Sequence, residues 1–195
     1  MIKVLDFSDI KTVYDKRMRY DFPTAELKPL SVIKKARDRG FYTCLGYYES
    51  EELLAYAFLV ENTNKQFSAC LLDYFAVRED IRHTGVGSDF LTELKNVALR
   101  YDLFIIEVED PAKAENKSQE EIRYKRYSFY LKNGIADSGA FGQVWGVDYK
   151  ILFTGKMINP TVYDIRKAYF MVYRTMLSRF LVWSRIKFWF IESRE

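Results

Sequence analysis

The segment VREDIRHTGVGSDFL, residues 77–91, sets an arginine, two hydroxyl side chains and two glycines between an apolar run and a helical pattern. A strand that ends in such a loop and feeds a helix aims several unpaired backbone N–H groups, and the positive end of a helix dipole, at one point. Phosphate suits that point. Gly85 and Gly87 let the backbone approach an anion with no Cβ in the way, Arg82 adds a charge-assisted contact, and Thr84 and Ser88 offer hydroxyl donors. A nucleoside triphosphate is disfavoured, because Ser88-Asp89 follows the second glycine where Lys-Ser/Thr would be needed, and an aspartate repels the phosphates. A dinucleotide is disfavoured too: three places after Gly87 stands Phe90, too large for the close helix–strand packing of that motif.

A second candidate is an acid in an apolar strand. Glu107 interrupts LFIIEVE among Phe104, Ile105, Ile106 and Val108, where a carboxylate is expensive to bury unless it is used or paired. Burial would raise its pKa toward that of a useful base. The plainer reading has Glu107 or Glu109 paired with Arg123, Lys125 or Arg126. His83 is the only histidine, and Cys44 and Cys70 stand apart at no metal or redox spacing, so neither a metal site nor a His-dependent triad is expected.

Positioning these residues requires a sheet with helices. At 195 residues, 49% hydrophobic and 29% charged, the chain is of the size of one domain with an appendage. MIKVLDF reads as a strand, followed by a helix over SDIKTVYDKRMRY with Ser8 as its N-cap; SVIKKARDRG is a short helix closed by Gly40. FYTCLGYY and LLAYAFLV form a hairpin across ESEE, SACLLDYFAV leads into the loop, and DFLTELKNVALR is a helix before LFIIEVE. A later helix stops at Asn133-Gly134, FGQVWGVDYKILF supplies closing strands, and the stretch after Pro160 reads as one long or kinked helix. Charges near the start and the absence of any long charge-free apolar run point to a soluble, cytoplasmic protein.

Val77-x4-Arg82-x-x-Gly85-x-Gly87 after LLDYFAV resembles the acyl-CoA loop of the GNAT N-acetyltransferase superfamily. FIIEVE and RYSFYLKNGI follow in that superfamily's order, and the resemblance spans about residues 2–155. It implies an α+β, three-layer fold: a mixed, mostly antiparallel central sheet of about six to seven strands, splayed at its centre, with helices on both faces. Residues 1–157 would form the acyl-CoA-binding domain and 158–195 a C-terminal helical extension. Acetyl-CoA would be the acyl donor, with backbone contacts from Phe75, Ala76 and Val77, and its pyrophosphate on the loop of Arg82, His83, Thr84, Gly85, Val86, Gly87 and Ser88. FIIEVE matches the strand LEV of ribosomal-protein alanine N-acetyltransferases, which implies Glu107 as general base, and Tyr130 matches the family's general acid. Two departures stand out: the connection between Val108 and Tyr130 is longer than usual, and His83 replaces a glycine and is expected at solvent or the adenosine phosphates.

The resemblance also implies that the acceptor enters over RYDFPTAELKPL, where Glu26 would attract a cationic amine and Phe22 would wall it. The tail carries seven cations against three acids from residue 161 onward, a net +4 that leaves −1 for the rest. Its apolar positions, Tyr169, Val172, Tyr173, Phe180 and Trp183 among them, spread beyond one stripe. Packing on the domain or in a homodimer is therefore favoured over contact with a membrane surface or nucleic acid. The expectation is an acyltransferase that moves acetyl from acetyl-CoA to a primary amine of a small molecule or peptide by direct attack in a ternary complex. The alternative is a non-catalytic acyl-CoA-binding regulatory or scaffold module that associates through its C-terminal helix.

Overall fold

Asp6 starts the first helix: its carboxylate accepts the N–H of Asp9 at 2.8 Å. The cap thus stands two residues ahead of Ser8, and its negative charge suits the positive helix end better than a hydroxyl does. The computed structural model describes residues 1–24 and 26–190. Its strands form one mixed α+β sheet in the order β1-β2-β3-β4-β5-β7-β6-β8, eight strands where six to seven were expected. The chain divides into two compact units, residues 1–61 with 72–93, and residues 62–71 with 94–195.

The first unit begins with β1 (Ile2–Val4) and α1 (Phe7–Val13), which widens into a π-helical turn at Tyr14–Met18 and ends in α2 (Arg19–Asp21). After α3 (Leu30–Asp38), Gly40 takes a left-handed φ of +76° and releases the chain into β2 (Tyr42–Glu49). β2 pairs antiparallel with β1 and with β3 (Glu52–Thr63), through a tight turn in which Ser50 and Glu51 both have positive φ. The ESEE hairpin is therefore as expected. The C-terminal half of β4 (Ser68–Val77) and the start of α4 (Val86–Ala98) complete the unit. Phe90, on α4, is fully buried and stacked on Tyr47 at 5.2 Å and Phe75 at 5.5 Å. The bulk that argues against a dinucleotide motif here fills a core position.

In the second unit, β5 (Leu103–Glu109) pairs antiparallel with β7 (Val147–Thr154), β7 with β6 (Ala136–Val144), and β6 with β8 (Ile186–Phe190). Asp102 ties the start of β5 to the start of β4 by accepting the backbone N–H and the hydroxyl of Ser68 at 2.7 and 2.8 Å. Asn116 caps α5 (Lys117–Lys132) by accepting the Gln119 N–H, and α5 ends at Gly134 with φ +78°. Strand alternation puts Lys150 and Asp137 on one face, where Tyr127 of α5 meets both. Glu107 and Ile151 point to the other, which α6 (Val162–Met176) covers with Ile165, Ala168, Tyr169, Val172 and Tyr173.

The tail departs from the one long or kinked helix expected in that it breaks into two helices and ends in a strand. Thr161 and Asp164 form a reciprocal capping box for α6, and the helix then breaks at Leu177. Ser178 caps a second helix, α7 (Arg179–Arg185), before the chain becomes β8. IKFWF is β-branched and aromatic, and β6 offers it an unfilled edge; Trp189 stacks on Phe141 at 5.9 Å across that pairing. Helical spacing of apolar residues cannot foresee such a partner. Residues 191–195 of the tail lie outside the described residues.

Candidate functional site

The loop after β4 is built inside the first unit. A short 3₁₀ turn at Glu79–Ile81 lets the Arg82 N–H donate to the Glu79 carbonyl, and the Thr84 hydroxyl donates to the Ile81 carbonyl at 2.7 Å. His83 has φ +70° and Gly85 φ +101°, so two left-handed residues bend the chain sharply into α4. A side chain is tolerated at His83 because it is exposed, as expected. At Gly85 a Cβ would meet nothing within 4 Å, so its backbone geometry, not crowding, demands glycine. The Gly85 carbonyl accepts the N–H groups of Ser88 and Asp89, and the helix starts at Val86.

Arg82 is exposed yet oriented. Its guanidinium donates to Asp21 Oδ1 at 3.1 Å and to the Val77 carbonyl at 3.2 Å. Asp21 is nearly buried and also accepts the Tyr56 hydroxyl at 2.8 Å. Burial, then the charge of Asp21, pushes the Tyr56 hydroxyl far above its ordinary range, so it stays a donor. The sequence reading missed Asp21 in this role. An acid followed by Phe-Pro at the end of the first helical stretch is a weak signal, because only the fold brings it to Arg82.

The acceptor segment is pinned to β4 within the same unit. Phe22 meets the Tyr74 ring edge-on at 5.0 Å, and the Tyr74 hydroxyl donates to the Glu26 carbonyl while accepting the Lys28 N–H. The Lys28 ammonium reaches Asp73 at 2.6 Å, and Tyr42 donates to the same carboxylate. Glu26 itself is exposed. Beside this segment lies an open groove lined by Lys16, Arg17, Tyr20, Asp21 and Arg78. Phe75, Ala76 and Val77 end β4, with Ala76 buried.

The catalytic candidates belong to the second unit. Glu107, half-buried in β5, accepts the Tyr169 hydroxyl on Oε1 at 3.0 Å and the Tyr173 hydroxyl on Oε2 at 2.6 Å. Burial, followed by the Glu107 charge, drives the Tyr169 hydroxyl well above its usual range. Glu109 takes the arginines: Arg123 at 2.8 Å and Arg126 at 3.0 Å. Of the pairings left open by sequence, that of Glu109 with Arg123 and Arg126 is present, and Glu107 accepts the two hydroxyls. Tyr130 is buried, edge-on to Phe129 at 5.2 Å, and burial raises its hydroxyl to about 12 against the lowering charge of Arg126.

Tyr169 and Tyr173 figure in the sequence only as apolar positions of the tail. Their signal is a four-residue spacing on the buried face of a helix, together with a lone acid inside an apolar strand that needs donors. Gly142 of β6 completes the arrangement: a Cβ there would collide with the Tyr169 hydroxyl and come within 2.8 Å of its Cζ.

No protein-family model matches the chain, and no curated protein is similar to it in sequence. Solved structures are similar in fold. A GNAT-family protein from Bacteroides thetaiotaomicron aligns over 89% of this chain and 98% of its own, with a TM-score of 0.67 and 18% identity. The ribosomal-protein-S18-alanine N-acetyltransferase from Escherichia coli aligns over 82% and 96%, with a TM-score of 0.56 and 15% identity. Arabidopsis thaliana Naa50, solved with a bisubstrate analogue CoA-Ac-MVNAL, aligns over 79% and 97%, with a TM-score of 0.52 and 10% identity. The strand–loop–helix around Arg82 and the acid in β5 thus stand in a chain whose fold is that of the GNAT N-acetyltransferases.

Proposed function

We propose that this protein is an N-acetyltransferase that moves an acetyl group from acetyl-CoA to a primary amine by direct attack. The observation that carries the reading is the β4–loop–α4 connection, with Gly85 bent to positive φ and Arg82 held by Asp21, in a chain of GNAT fold. Backbone N–H groups at a helix start and an oriented guanidinium are the chemistry that a pyrophosphate needs. Phe75, Ala76 and Val77 are assigned to pantetheine and the thioester carbonyl, and the loop from Arg82 to Ser88 to the pyrophosphate.

In this reading the amine nitrogen attacks the thioester carbonyl carbon, and the carbon–sulfur bond breaks as the amide forms. Glu107 takes the proton that the amine loses, and Tyr130 supplies one to the departing thiolate. A hydroxyl held near 12 by burial stays protonated at neutral pH, which suits a donor to a thiolate. Glu107 is preferred over Glu109 because two arginines already neutralise Glu109. Phe22 and Glu26, on the segment pinned by Tyr74, are assigned to the acceptor, which is a small amine or a peptide. Residues 1–157 are the acetyltransferase domain and 158–195 its extension, in a cytoplasmic protein. Among the described residues no helix is long and apolar enough to cross a membrane.

The test is CoA release by purified protein with acetyl-CoA and a panel of amines and peptides. Turnover that is lost in Tyr130→Phe and Glu107→Gln supports the assignment. Tight acetyl-CoA binding without turnover on any acceptor overturns it in favour of an acyl-CoA-binding module. For that second reading the supporting observation is the exposure of Phe180 and Trp183 on α7, which leaves a surface for association.

A further inference from the structure

Glu107 is held by two hydroxyls from the tail. A half-buried carboxylate in an apolar strand ordinarily finds a cation, and two arginines lie close enough to pair with its neighbour Glu109. Glu107 accepts one phenolic hydroxyl on each oxygen, both from successive turns of α6. Each hydroxyl is a neutral donor that stabilises the ionised carboxylate and fixes its orientation.

The arrangement is also rigid. Tyr169 is fully buried and edge-on to Tyr173 at 5.0 Å, with Phe170 and Phe188 against its ring. Gly142 leaves room for the Tyr169 ring to cross β6 and reach β5. Asn62, at the end of β3, donates to the Met171 carbonyl at 3.0 Å and to the Thr175 hydroxyl at 2.7 Å, fixing α6 along its axis.

We propose that Tyr169 and Tyr173 are positioning residues for Glu107, so that the C-terminal extension, through α6, orients and keeps ionised the base of the reaction. The inference rests on the acetyltransferase reading only for the word base; the hold on the carboxylate stands on the geometry. It makes the extension part of the working site, where the sequence reads it as an appendage. Among the described residues, Tyr149 of β7 bears electrostatically on Tyr169, and Glu109 lies two positions along β5 from Glu107 with Arg123 and Arg126 of α5 bound to it. All of these are retained in the variants below.

The test compares the full chain with Tyr169→Phe, Tyr173→Phe and the double variant, each of which keeps its ring in the core. Carbon-detected NMR of labelled glutamate, with Glu107→Gln to assign the signal, reads the carboxyl titration directly. Removing either hydroxyl is expected to raise the Glu107 midpoint by about one pH unit, and removing both by more. The acidic limb of kcat/KM for acetyl transfer should move upward by the same amount. kcat should fall about tenfold to a hundredfold while acetyl-CoA affinity is unchanged. A Glu107 midpoint that is the same in all four proteins overturns the proposal, whatever the activity. A shifted midpoint in proteins that never transfer acetyl, wild type included, supports the hold on Glu107 and instead defeats the acetyltransferase reading.

Discussion

The Tyr173 hydroxyl donates to Glu107 Oε2 at 2.6 Å, joining a helix of the tail to the fifth strand across 66 positions of sequence. Tyr169, one turn earlier, holds the other oxygen. The carboxylate is thereby held by two hydroxyls, one on each oxygen, and it is the acid to which the proposed reaction assigns the proton of the amine.

Glu107→Gln keeps the shape and, through its amide oxygen, one of the two accepted hydroxyls, but cannot take a proton. Turnover should fall by about a hundredfold or more. Acetyl-CoA affinity, measured by calorimetry, should stay within about twofold, since a base contributes to the transition state and not to donor binding. Turnover equal to wild type would remove Glu107 from the mechanism.

Arg82→Ala should act on binding. The guanidinium is oriented by Asp21 and Val77 before any ligand arrives, so its loss should weaken acetyl-CoA by about tenfold to a hundredfold, in keeping with a charge-assisted contact. Asp21→Asn should weaken it less, because the arginine remains but is no longer aimed. Calorimetry on both variants checks the order, and an affinity unaltered in Arg82→Ala would detach the loop from the donor.

Gly142→Ala places a methyl group against the Tyr169 ring, within 2.8 Å of Cζ and 3.1 Å of the Ile151 Cδ1. Tyr169 is boxed by Tyr173, Phe170 and Phe188 and has nowhere to retreat. A loss of about 1–3 kcal/mol is expected from overpacking, read as a lower midpoint in urea unfolding. Unchanged stability would mean that the ring does not lie across β6 as described.

Asp102 gives a prediction in pH. The Ser68 backbone N–H, then the Ser68 hydroxyl, hold its carboxyl below the ordinary range. A folded-state pKa below the unfolded one gives stability that is complete above about pH 4 and is lost as the pH falls through the folded value. Asp102→Ala should therefore cost about 2 kcal/mol near neutrality, with the gap to wild type closing in acid. Urea melts at pH 7 and pH 3 check the sign; a gap that widens in acid would contradict it.

By itself the sequence determined the features that are local. An apolar run, an arginine and two glycines, and an amphipathic stretch specify strand, bent loop and helix from short-range sterics, and the order of such pieces pointed to the fold. A carboxylate among Phe104, Ile105, Ile106 and Val108 was legible as a group needing partners, because burying charge has the same cost whatever the neighbours turn out to be. Who those partners are was decided only in three dimensions. Arg123 and Arg126, the cations near in sequence, went to Glu109, and two tyrosines more than sixty residues away took Glu107. The same holds for Asp21 on Arg82 and for β8, whose strand state comes from the open edge of β6 and overrides a helical reading of IKFWF. Long-range contacts of this kind leave no fixed spacing in the chain: they depend on which faces and edges the packed elements leave to be covered.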